Sequence, residues 1–156
     1  TRTSYTASQD VKNALGHFGY LLESLRDLDT LRPYKVRITA DGETLDGEYL
    51  FGAVANSTSI AGFLTMDPTR VIIDDGLFEI TLIKMPTAPM DLSRILYSLQ
   101  TQQYDDKLIH ACTAARAVIH SPAAVPWTLD GEYARGETDI IVENLHNALR
   151  LVVNET

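Results

Sequence analysis

At 156 residues, 45% hydrophobic and 22% charged, the chain has the length and balance of one folded domain with a real core. A net charge of −8 argues against nucleic acid as a partner, since phosphate neutralisation needs clustered Lys and Arg. The lone Cys112 forbids an internal disulfide and suits a reducing compartment, and no apolar run approaches the roughly 20 residues that span a bilayer.

The opening Thr1-Arg2-Thr3-Ser4-Tyr5-Thr6 has no apolar h-region and no Met, as in a chain trimmed or cut from something longer. Thr6 or Ser8 then caps a helix on which Val11, Leu15, Phe18, Leu22 and Leu25 form one apolar stripe. After Pro33 the period drops to two: Tyr34, Val36 and Ile38 alternate with Lys35, Arg37 and Thr39, a half-buried strand. Asp41-Gly42 turns the chain, Asp46-Gly47 reads as a bulge or second turn, and Tyr49 to Ala55 as a strand buried on both faces. Asn56 to Phe63 is a polar loop of small residues.

Val71-Ile72-Ile73, Asp74-Asp75-Gly76 and Leu77 to Lys84 read as strand, tight turn and long strand. The two adjacent carboxylates repel unless a cation or donors relieve them, and with nearby carbonyls they are hard oxygen ligands suited to Mg²⁺ or Ca²⁺. An ordinary turn accounts for the same residues. Beyond Pro86 and Pro89, Leu92, Ile95, Leu96 and Leu99 share one face of a second helix. Thr101 to Lys107 is a surface loop, Ala117-Val118-Ile119 a short strand, and Pro122 and Pro126 bracket a linker into a Trp127 strand. Two strands, Asp139 to Glu143 and Ala148 to Val153, close the chain. The pattern is mainly β with two helices and no βαβ alternation, hence an antiparallel β-sandwich or a distorted barrel.

One pentapeptide occurs twice, as Leu45-Asp46-Gly47-Glu48-Tyr49 and as Leu129-Asp130-Gly131-Glu132-Tyr133. A Glu just past an Asp-Gly turn is well placed to act as a general base, but a surface hairpin with a solvated Glu reads the same way. The repeat alone does not choose between the copies.

The ordered run Val54-Ala55-Asn56-Ser57, Ala61-Gly62-Phe63, Pro68, Ile73-Asp74-Asp75-Gly76-Leu77-Phe78 and Leu129-Asp130-Gly131-Glu132-Tyr133 resembles the second domain of the soluble diacylglycerol kinase and sphingosine kinase-like family. The resemblance covers nearly the whole chain. It implies the C-terminal β-sandwich of the NAD kinase/diacylglycerol kinase-like fold, in a lipid kinase that passes the γ-phosphoryl group of ATP to diacylglycerol or a similar lipid at a membrane surface. No Gly-Gly-Asp-Gly occurs here, so the expectation is a single domain, 1–156, whose nucleotide-binding α/β partner domain lies elsewhere in the parent protein. Such a fragment is expected to be inactive alone. Carried over by position, the resemblance makes Glu132 the catalytic base and gives a structural Mg²⁺ the Asp75 carboxylate and the carbonyls of Ile72 and Leu77. It further implies a cytoplasmic protein peripheral to the membrane. An exposed sheet edge also leaves homo-oligomers open. An NAD kinase and a non-catalytic binding or regulatory module of the same fold are the competing readings.

Overall fold

Strand β1 (Tyr34–Ala40) and strand β2 (Glu43–Ala55) form the first hairpin, and its two-residue loop has positive φ at both Asp41 (+44°) and Gly42 (+95°). That is the type I′ geometry that Asp-Gly favours, whose twist matches the flanking strands. A computed structural model describes residues 32–60, 64–65, 71–104, 107–130 and 132–149. The expected first helix and the end of the expected last strand lie outside these residues.

The remaining elements are β3 (Ser59–Ile60), β4 (Leu64–Thr65), β5 (Phe78–Lys84), helix α1 (Pro89–Thr101), β6 (Ile109–Ala114), β7 (Arg116–His120), β8 (Trp127–Leu129), β9 (Glu132–Ala134) and β10 (Asp139–Glu143). Six strands form one antiparallel sheet in the order β10-β7-β1-β2-β5-β6, while β3-β4 and β8-β9 are separate ribbons. The sheet is not closed, which favours the sandwich over the barrel.

The sheet bends over on itself at two places, within β2 and between β6 and β7, and this makes the two layers of the sandwich. The first half of β2 pairs with β1 and the second with β5, with a register shift between Tyr49 and Phe51. Only Ala115 separates β6 from β7, yet these strands pair at β5 and β1 respectively. A strand that bends from one layer into the next is how sandwich corners are built. The bulge also resets the side-chain alternation, so that Tyr49 before it and Val54 after it both meet one core. That core gathers Val36, Ile38, Ala40, Tyr49, Phe78, Ile80, Leu82, Ala114, Ala117 and Ile119. Phe51, Ile83 and Ile109 face the other way, against Ile95 and Leu99 of α1.

Several expectations are corrected. Asp46-Gly47 is neither bulge nor turn but strand interior, opposite Arg37 and Val36. The Arg37 guanidinium holds Asp46 through Nε at 2.8 Å, and an added Cβ at Gly47 would touch the Tyr49 ring at 3.4 Å, so that ring fills the place of the missing side chain. Val71 to Ile73 is not a strand, and Ile72 and Ile73 are 53% and 69% exposed. Leu108 to His120 holds two strands where one short strand was expected, Ala148 and Leu149 belong to no strand, and Leu96 on α1 is exposed.

Candidate functional site

The β8–β9 hairpin presents the first candidate. Its register is Trp127↔Ala134, Thr128↔Tyr133 and Leu129↔Glu132, and Asp130 in the connection has a φ of +49°, as a two-residue turn of this type requires. Gly131 lies outside the described residues. Trp127 anchors the ribbon by packing against the main core. Below the hairpin, Val125 and Gly136 cross so tightly that a Cβ on Gly136 would lie 1.7 Å from the Val125 carbonyl oxygen. Only glycine fits there, and the crossing pins the two ends of the ribbon together. Glu132 therefore stands exposed on an anchored tip, opposite the exposed Leu129 and beside Tyr133, which is 77% exposed. Its side chain has no hydrogen bond or ion pair among the described residues. Its carboxylate is free to accept a proton from a group brought to it.

The second candidate is the turn before β5. The N–H of Asp75 donates to the Ile72 carbonyl at 3.5 Å, a long contact, while the N–H of Leu77 donates to Asp75 Oδ1 at 2.8 Å. Two asparagines tie this turn to the sheet. Asn56 Nδ2 donates to the Ile73 carbonyl at 2.9 Å and Asn144 Nδ2 to the Leu77 carbonyl at 2.7 Å. Gly76 has a φ of +82°, and His146 lies against it, 3.0 Å from where a Cβ would be. Asn144 also donates its own N–H to the carbonyl of Ala115, the corner residue, at 2.9 Å. The turn is thus fastened to the corner of the sandwich.

Ile72, Asp75 and Leu77 lie in and beside one turn. Their oxygens (one carboxylate and two carbonyls) are the hard donors Mg²⁺ takes while keeping several waters, so the residues present suit that ion. No group of three or more His, Cys, Asp or Glu converges among the described residues. Glu132 stands on a different ribbon and shares no hydrogen bond with the turn.

The sequence reading overlooked Gly136, the two asparagines and Glu79. Glu79 is only 5% exposed, its Oε2 has no hydrogen-bond partner, and the Ser57 N–H reaches its carboxylate. Burial pushes its carboxyl above the usual range, and the charge of Asp75 adds to the rise. A Glu between Phe78 and Ile80 in a mostly apolar strand was the available signal. No helix among the described residues is long and apolar enough to cross a membrane.

Residues 3–153 match the family model described as the YegS C-terminal NAD kinase beta sandwich-like domain. The chain is 30% identical to a protein named probable lipid kinase YegS from Salmonella arizonae over 150 residues, which is 96% of this chain and 48% of the relative. It is 27% identical to the diacylglycerol kinase of Bacillus subtilis over 133 residues, 85% of this chain and 44% of that protein. The chain thus spans about half the length of these curated relatives. Among solved structures, a diacylglycerol kinase from Bacillus anthracis superposes with a TM-score of 0.51 at 17% identity, over 80% of this chain and 45% of that one. A second structure from the same organism reaches 0.61 at 21% identity, over 88% and 47%. These superpositions establish a common fold.

Proposed function

The chain belongs to the family of YegS C-terminal NAD kinase beta sandwich-like domains, and from that membership we propose that it forms the C-terminal half of an ATP-dependent lipid kinase. The relatives named lipid kinase and diacylglycerol kinase support this reading, with diacylglycerol or a similar long-chain alcohol as acceptor. The single observation that carries it to a residue is the exposed Glu132 at the end of an anchored ribbon, its carboxylate unpaired among the described residues. Phosphoryl transfer asks little covalent chemistry of a protein; it asks for positioning and for charge in the right place. Glu132 accepts the proton of the lipid hydroxyl as that oxygen attacks the γ-phosphorus of ATP held by a nucleotide-binding α/β domain of the same protein. Leu129 and Tyr133 supply apolar surface beside the acceptor. The protein works in the cytoplasm against a membrane surface.

The carbonyls of Ile72 and Leu77 and the carboxylate of Asp75 would hold a structural Mg²⁺. The ion supplies positive charge that fixes the turn. The chain's own residues do the rest: Asn144 orients the Leu77 carbonyl, Asn56 ties down the neighbouring Ile73 carbonyl, and Gly76 gives the backbone its positive φ.

The test is turnover of the full-length protein on a panel of lipid alcohols with radiolabelled ATP. Glu132→Gln lowers kcat by about 10²–10⁴ with little change in KM. Undiminished turnover in that variant overturns the base assignment, and no turnover of any lipid by the unaltered protein favours a non-catalytic module.

A further inference from the structure

Alternation along β5 sends Phe78, Ile80 and Leu82 into the core between the layers, and Glu79, Thr81 and Ile83 to the opposite face. Ile83 is covered by α1, but Glu79 brings a carboxylate into a buried place where no described residue answers Oε2. A buried carboxylate is strongly unfavourable unless a donor or a cation meets it. None of the ion pairs among the described residues reaches Glu79 or Asp75.

Two consecutive residues just after β2 touch the turn and the carboxylate in succession. Asn56 holds the carbonyl of Ile73 at the start of the Asp75 turn, and the Ser57 N–H holds the carboxylate of Glu79. From within the turn, Asp75 accepts the N–H of Leu77 through Oδ1, two residues before Glu79, and among the described residues no hydrogen bond or ion pair meets Oδ2. Two carboxylates with spare oxygens therefore flank one short stretch of chain.

We propose that Glu79 is a second carboxylate of the cation site at the Asp75 turn, reaching the ion directly or through one of its waters and orienting the donors around it. The inference rests on the reading of Asp75 as a cation ligand. Two carboxylates would match the charge of a divalent ion, and a partner of this kind commonly governs affinity as much as a direct ligand does.

The experiment is Mn²⁺ binding to the metal-stripped full-length protein, followed by electron paramagnetic resonance, with circular dichroism to check folding. The unaltered protein binds one Mn²⁺, Asp75→Asn abolishes binding, and the isosteric Glu79→Gln weakens it by about 10- to 100-fold. Unchanged affinity in Glu79→Gln, with binding lost in Asp75→Asn, overturns the role of Glu79 and leaves the Asp75 reading standing. Absence of binding in the unaltered protein, or full binding by Asp75→Asn, overturns both. Should Glu79→Gln not fold, crystals of the unaltered protein soaked in Mn²⁺ decide. An anomalous peak at Asp75 within about 5 Å of Glu79 Oε2, the reach of one bridging water, supports the proposal, and a more distant peak overturns it.

Discussion

Asp46 and Asp130 begin the same Asp-Gly-Glu-Tyr run, and their partners send the two copies different ways. At Asp46 the guanidinium of Arg37 lies directly across the ladder and the Tyr49 ring covers Gly47, so the chain stays extended through both. At Asp130 the flanking strands pair back on each other, and φ becomes +49°. Asp tolerates that region better than most residues, but the cross-strand contacts decide whether it goes there. Glu48 consequently lies within a long strand, opposite Lys35, with its carbonyl accepting the N–H of Met85 at 3.0 Å, whereas Glu132 stands at a ribbon end. In the full-length kinase, Glu48→Gln leaves kcat within about twofold, while Glu132→Gln loses the 10²–10⁴ expected of a general base. Equal losses from the two substitutions would show that both act through the fold and that Glu132 is no base.

The elements themselves are held by a few short-range contacts with testable consequences. The β8–β9 ribbon is one, because Gly136 and Val125 leave no room for a methyl group. Gly136→Ala must shift backbone against backbone, so the cost lies near the upper end of overpacking, about 3 kcal/mol. Turnover should fall with it although residue 136 touches no substrate. A Gly136→Ala protein with unchanged urea midpoint and kcat would refute the clamp. Helix α1 is another. Its N-cap is Ala88, which has no side-chain acceptor, and Asp91 compensates by taking the N–H groups of Thr87 and Ala88 at 3.1 Å each and the Thr87 hydroxyl at 2.9 Å. The Thr87 hydroxyl and N–H are the chief causes holding the Asp91 carboxyl below its ordinary value of 3.8. A carboxyl depressed in the folded state contributes stability above its unfolded pKa and loses it as pH falls through the folded one. Asp91→Asn therefore lowers Tm at pH 7, and its deficit narrows below about pH 4. A deficit that stays constant from pH 7 to pH 3 would assign the effect to something other than this charge. Much of this level was legible in the sequence, since Val36 and Ile38 alternate as a strand should and Asp41-Gly42 turns as Asp-Gly should. The Ile72-Ile73 pair was misread because a short apolar run resembles a buried strand, and its exposure is set by partners far along the chain. The role of Gly136 was invisible for the same reason: nothing local says that residue 125 will cross it.

At the scale of the molecule, the two layers are not independent, because β2 and the β6–β7 pair each run through both. The corner at Ala115 is latched by Asp41, whose carboxylate accepts the N–H groups of Ala115 and Arg116 at 2.8 and 3.2 Å. The hairpin loop of one layer thereby closes the bend into the other, and no separable half is left to melt alone. Ile80 is fully buried in the core between the layers, while the single tryptophan, Trp127, packs against that core from the candidate catalytic ribbon. Ile80→Ala should cost about 2–5 kcal/mol, the range for removing a buried aliphatic side chain and leaving a partly collapsed cavity. For a chain of this size that lowers Tm by roughly 10 °C. Ile80 and Trp127 share one core, so tryptophan fluorescence and far-ultraviolet circular dichroism should move together and keep coincident midpoints before and after the substitution. A fluorescence transition well below the dichroism transition would mean that the ribbon opens on its own. Glu132 would then be presented by a mobile tip, and the case for a pre-positioned base would be lost.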